Sequence, residues 1–122
     1  MGKRILIAED DKDVGDILTH MLGPSGYTVE LAKDGQEAIE KLRMSRFDLA
    51  IVDMAMPNVD GLTVIRRLRA DPETQKMPTL VLTACAFGPD QEKAIRAGCD
   101  VFITKPFDPE QLLEKIQELL RR

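Results

Sequence analysis

The chain has 122 residues, 43% of them hydrophobic and 31% charged, with a net charge of −4. That length fits one domain with a real hydrophobic core, and the balance is that of an ordinary globular protein. An acidic domain this small lacks the clustered Lys and Arg that direct nucleic-acid binding needs, and Arg121 and Arg122 at the end are too few to change that.

Cys85 and Cys99 form no CxxC pair, and His20 is the single histidine, which argues against a structural zinc site. Apolar neighbours mark both thiols as packed rather than bridged or reactive. His20 reads as a helix-surface residue and not a ligand. No apolar run approaches membrane-spanning length and no signal-peptide pattern opens the chain, so a cytoplasmic protein without a membrane partner is expected. With no repeat, low-complexity stretch or linker, residues 1–122 read as one domain.

In chain order, the first apolar run is Ile5-Leu6-Ile7-Ala8, followed by the acids Glu9-Asp10-Asp11. Val14, Ile17, Leu18, Met21 and Leu22 recur at helical spacing, and Gly26 follows that helix. Tyr27-Thr28-Val29-Glu30-Leu31 is a weaker strand. Asp34 with Glu37 three residues on resembles a capping box and opens a helix striped by Ala38, Ile39 and Leu42. Leu49-Ala50-Ile51-Val52 ends in Asp53, and Leu62, Ile65 and Leu68 stripe the next helix. Leu80-Val81-Leu82 ends in Thr83. Ala94, Ile95 and Ala97 mark a weaker helix that stops at Gly98. Val101-Phe102-Ile103 runs into Thr104-Lys105. Asp108, Pro109 and Gln111 start the clearest helix, with Leu112, Leu113, Ile116, Leu119 and Leu120 on one stripe.

Four of the five strands are continuously apolar, as strands buried on both faces of a parallel sheet are. Five β-α units with right-handed crossovers predict an α/β, doubly wound parallel sheet with helices on both faces. In such a sheet the polar strand ends share one edge, where ligands of these folds bind. Glu9, Asp10, Asp53, Thr83 and Lys105 should therefore converge there.

That set suits metal-assisted phosphoryl chemistry. Three carboxylates and one ammonium sum to −2, which repels an anionic donor until a divalent cation offsets it. Hard oxygen ligands favour Mg²⁺. A carboxylate can then attack phosphorus and form an acyl phosphate. Taken singly, each residue has a plainer account: Asp11 is best read as a helix cap, Asp53 could cap a loop, and Thr83 and Lys105 could be surface residues. Met54 and Met56 read as loop packing. Capping explains poorly why four such positions all end core strands on one edge.

At these residues the chain resembles a known family. Ile5-Leu6-Ile7-Ala8-Glu9-Asp10-Asp11, Asp53-Met54-Ala55-Met56-Pro57-Asn58-Val59-Asp60-Gly61, Leu82-Thr83-Ala84 and Phe102-Ile103-Thr104-Lys105-Pro106-Phe107 are similar, in order and spacing, to segments of CheY-like response regulator receiver domains. The resemblance spans essentially the whole chain. It implies a flavodoxin-like five-stranded sheet of order 2-1-3-4-5 and a phosphorylation-dependent switch of a two-component phosphorelay. Asp53 would accept the phosphoryl group, and Asp10 would be the main Mg²⁺ ligand with Glu9, Asp53 and the Ala55 carbonyl. Thr83, the Ala84 N–H and Lys105 would hold the phosphoryl oxygens, Phe102 would turn with Thr83, and Lys105-Pro106 would be cis. The implied partners are a sensor histidine kinase or histidine phosphotransfer protein and a downstream protein, with a phosphorylation-dependent dimer allowed. Phosphate would be gained and lost at Asp53 by self-catalysis, outside conventional enzyme turnover.

The chain departs from the family's commonest pattern where the first acid is Glu9, and where Ala55 and Cys85 occupy positions often polar. Those departures bear on hydrolysis rate and kinase preference. The rivals are a pseudo-receiver that never gains phosphate and a flavin-binding electron carrier. The five intact polar residues oppose the first. The acidic first loop, a single Tyr and no Trp oppose the second.

Overall fold

The structure, a computed structural model, describes residues 2–56, 58–84 and 89–121. Five β-α units follow one another: β1 (Arg4–Ala8), α1 (Lys12–Leu22), β2 (Thr28–Ala32), α2 (Gly35–Met44), β3 (Leu49–Asp53), α3 (Gly61–Ala70), β4 (Thr79–Thr83), α4 (Pro89–Ala97), β5 (Val101–Thr104) and α5 (Pro109–Arg121). All strand pairs are parallel, in the order β2-β1-β3-β4-β5. This is the predicted doubly wound sheet.

Alternation along the central strands divides the core in two. Ile5, Ile7, Leu49, Ile51, Leu80 and Leu82 face Leu18 and Leu22 of α1 and Leu112, Ile116 and Leu119 of α5. Leu6, Ala8, Ala50, Val52 and Val81 face α2, α3 and α4. Each fully buried Ile or Leu contributes about 1.5–3 kcal/mol, which is why β1, β3 and β4 carry so little but aliphatic residues.

Caps set the helix starts. Asp11 accepts the Asp13 and Val14 N–H groups, Asp34 that of Glu37, and Asp60 that of Thr63. Asp108 accepts from Glu110. After α1 a short 3₁₀ turn, Gly23–Ser25, precedes Gly26, whose φ of 93° ends it. Gly98 (φ 107°) ends α4 in the same left-handed region.

Three expectations differ in detail. Strand β5 is half-buried along its length, because it is a sheet edge rather than a central strand. Ile17, placed on the α1 stripe, and Ile95, one of the three apolar residues that marked α4, are 53% and 58% exposed. In both helices smaller or better-placed residues fill the core-facing angle, Gly15 and Leu18 in α1 and Ala94 and Ala97 in α4.

Candidate phosphoryl-transfer site

Register brings the polar strand ends together. Ala8 pairs with Val52, so the next residues, Glu9 and Asp53, stand side by side. Asp53 pairs with Leu82, and Thr83 with Thr104. Backbone bonds continue beyond the strands: Glu9 N–H to the Ala32 carbonyl (3.0 Å), Met54 N–H to Leu82 (2.8 Å) and Lys105 N–H to Thr83 (2.6 Å). The reactive side chains thus start from fixed main chain.

One carboxylate oxygen each from Glu9, Asp10 and Asp53 lies within 4.8 Å of the others. Glu9 and Asp53 are buried and Asp10 is exposed, so the cluster opens to solvent on the Asp10 side. Lys105 Nζ sits 2.6 Å from Glu9 Oε1 and 3.4 Å from Asp53 Oδ1. Asp11 stands apart as the cap of α1, the role its sequence position suggested.

Burial first, and then the neighbouring Asp53 carboxylate, push Glu9 from 4.5 up to about 8, with Lys105 opposing. Burial alone would lower the Lys105 ammonium, but the Glu9 hydrogen bond and the Asp53 and Glu9 charges outweigh it and raise the group overall. Glu9 Oε2 is buried without a hydrogen-bond partner among the described residues. An unpaired buried carboxylate oxygen is costly, and this one belongs to a hard-donor cluster. The residues therefore fit a small divalent cation.

Thr83 is buried at the edge, while Ala55 and Ala84 are exposed. Phe102 is half-buried on the α2–α3–α4 side of the sheet and pairs with Val81. Thr83 lies two residues beyond Val81 on the same face, so Thr83 and Phe102 are diagonal neighbours across two strands. The Lys105–Pro106 bond is cis. Met54 and Met56 pack on the core. His20 is exposed, with Nδ1 3.1 Å from the Asp16 carbonyl oxygen of its own helix. Cys99 is a half-buried free thiol, and Cys85 lies outside the described residues.

Two features escaped the sequence. Ile17 joins Val14, Pro106, Phe107 and Pro109 in an apolar recess beside Lys105. Asn58 donates to Asp34 from a left-handed backbone. The first needs the fold to bring α1 to the β5–α5 loop. The second was hinted at only by Asn in a loop.

A family model described as the response regulator receiver domain matches residues 5–117. Response regulator MprA of Mycobacterium ulcerans is 43% identical over 122 residues, which cover 100% of this chain and 52% of that protein. The chain spans about half the length of the curated relatives it matches. A CheY-like response regulator receiver domain protein from Methanospirillum hungatei superposes with a TM-score of 0.93 at 32% identity, over 99% of this chain and 95% of that one. The receiver domain of sensor histidine kinase PA1611 from Pseudomonas aeruginosa, with magnesium coordinated in its active-site cleft, gives 0.93 at 30% identity over 100% of both chains.

Proposed function

The chain belongs to the response regulator receiver domain family, and from that premise we propose that it is a phosphorylation-dependent switch whose Asp53 takes a phosphoryl group from a phosphohistidine on a partner protein. The meeting of Glu9, Asp10 and Asp53 with the Lys105 ammonium at one sheet edge carries this reading.

Asp10, Glu9 and Asp53 would hold Mg²⁺, with the Ala55 carbonyl as a further oxygen donor. The magnesium of the Pseudomonas relative supports that donor class. When bound, the ion offsets the carboxylate charge and draws phosphoryl oxygens toward the site. An Asp53 oxygen attacks phosphorus as the P–N bond to imidazole breaks. The electron pair stays on the imidazole nitrogen, which takes a proton from solvent. Lys105 supplies fixed positive charge beside the transferred oxygens, and Thr83 and the Ala84 N–H donate to them.

Because Thr83 and Phe102 share one face of β4 and β5, a Thr83 drawn toward phosphorylated Asp53 opens space beside Phe102. The α4–β5–α5 surface then shifts its population, driven by contacts that only the phosphorylated state gains. The donor is a sensor histidine kinase or histidine phosphotransfer protein, and a second protein reads the shifted surface. We place this exchange in the cytoplasm; among the described residues no helix is long and apolar enough to cross a membrane.

Incubation with Mg²⁺ and a small acyl phosphate, followed by intact mass and site mapping, tests the reading. One phosphoryl group on Asp53, absent from Asp53→Asn, is expected. Equal incorporation by Asp53→Asn refutes the assignment.

A further inference from the structure

The loop that follows Asp53 is gripped from the side by α2. Asp34 divides its carboxylate: Oδ1 accepts the Glu37 N–H at 2.8 Å, capping α2, and Oδ2 accepts Asn58 Nδ2 at 3.2 Å. Asn58 has φ 68°, a left-handed conformation that Asn tolerates better than most side-chain-bearing residues. One residue further on in each segment, Gly35 lies against Val59. A Cβ at Gly35 would overlap the Val59 carbonyl oxygen and stand 2.7 Å from its carbon and 2.8 Å from the Val59 Cβ. Val59 packs, partly buried, on the α2–α3 core, which limits its retreat. At the near end of the loop, the Gly61 N–H donates to the Met54 carbonyl at 3.0 Å. A Cβ at Gly61 would overlap the Asp53 carbonyl oxygen. The segment is therefore held at Asp53–Met54 and again at Asn58–Val59.

We propose that the N-terminus of α2 is a positioning clamp, in which the Asp34–Asn58 hydrogen bond and the Gly35–Val59 contact fix where Asp53 and the Ala55 carbonyl stand relative to Glu9 and Asp10. This rests on the role proposed above for Asp53 and Ala55. None of the four clamp residues belongs to the acidic cluster. They act through the loop backbone, whose placement a metal and an in-line attack require to within a fraction of an ångström. The Asp34–Asn58 bond is solvent-exposed and adds little to global stability. Its effect should appear in the loop and at the acidic cluster, not in unfolding.

Asn58→Gly is the cleanest variant, because Gly accepts the positive φ while the donor is lost. Gly35→Ala perturbs the same loop from the α2 side. Three measurements are needed on the full chain: hydrogen exchange at the Met54, Ala55 and Gly61 amides without metal, Mg²⁺ affinity by NMR titration, and the thermal midpoint. For Asn58→Gly we expect faster exchange at those amides, about tenfold weaker Mg²⁺ binding and a midpoint near wild type. Gly35→Ala should move the same amides and weaken Mg²⁺ in the same direction. Unchanged exchange and affinity in Asn58→Gly would overturn the clamp, as would losses that merely track a lowered midpoint. If wild-type protein binds Mg²⁺ yet gains no phosphate, the phosphoacceptor reading fails, while exchange and affinity still decide the clamp.

Discussion

Lys105 Nζ reaches Glu9 Oε1 at 2.6 Å across 96 positions of sequence, and the same ammonium lies 3.4 Å from Asp53 Oδ1. One cation from the β5–α5 junction thus touches carboxylates at the ends of β1 and β3. It sits where a cation can hold two acids together before any phosphoryl group arrives. In the transfer proposed above, the same charge would stand beside the phosphoryl oxygens.

Lys105→Ala should therefore separate charge stabilisation from metal binding. Phosphate incorporation from a small acyl phosphate should fall by about 10²–10³, the usual cost of losing one preorganised electrostatic partner. Mg²⁺ affinity should hold or tighten, because the carboxylates lose a competing cation. The check is incorporation rate as a function of Mg²⁺ concentration. A rate loss that saturating Mg²⁺ fully restores would mean that Lys105 only assembles the site.

Asp10 and Asp11 are adjacent acids with opposite employment, and two substitutions should cross over. Asp11 accepts two N–H groups at the start of α1, so Asp11→Ala should cost about 1 kcal/mol of stability and spare Mg²⁺ binding. Asp10 contributes an oxygen to the acidic cluster, so Asp10→Ala should do the reverse. Chemical denaturation and a Mg²⁺ titration of both variants decide the matter. Equal losses of metal affinity would contradict the division.

The doubly wound parallel sheet and the gathering of polar strand ends on one edge were legible because both follow from pattern, whereas the strand order β2-β1-β3-β4-β5 was implied by the family resemblance alone. Continuous aliphatic runs mark central strands, and polar residues that end them must meet on one edge. Ile17 shows where pattern stops. Its spacing fits the α1 stripe, yet Gly15 opposite Leu31 and Leu18 in the core leave Ile17 outside, against Pro106 and Phe107. No helical wheel contains that partner, because it arrives from the far end of the chain. The Asp34–Asn58 bond was hidden for a similar reason. Asp34 was visible as a cap, but the use of its second oxygen depends on a loop 24 residues away. Glu9 was legible as an acid; its burial, and hence its raised proton affinity, is a property of the packed edge.

In the switch proposed above, signal lifetime would depend on the water that attacks phosphorylated Asp53. The side chains two residues beyond Asp53 and Thr83 are Ala55 and Cys85. Neither orients water well, since Ala has no polar atom and a protonated thiol is a weak partner. Phosphate loss should therefore be slow, and an Ala55→Asn, Cys85→Glu double variant should shed phosphate several-fold faster. Slower loss in the double variant would instead mean that small side chains speed hydrolysis by opening the site.

The raised proton affinity of Glu9 gives the site a pH dependence of defined sign. Its carboxyl lies at about 8 in the folded, metal-free protein against an ordinary 4.5, with burial the largest cause. The folded state thus binds a proton that the unfolded chain releases. Its contribution to stability is complete below 4.5 and is lost as pH rises through about 8. Metal binding runs the other way, because Mg²⁺ needs the ionised carboxylate. Apparent affinity should climb by up to about tenfold per pH unit from roughly pH 6 and level off above about pH 8, with protons released on binding. Glu9→Gln, which keeps the shape and removes the titration, should bind Mg²⁺ more weakly and with a flatter profile. Calorimetry in two buffers of different ionisation enthalpy, at about pH 7, counts the released proton directly. An affinity that is flat from about pH 6 to pH 8 with no proton released would show that Lys105, and not burial, governs Glu9, and that the acid is already ionised when the metal arrives.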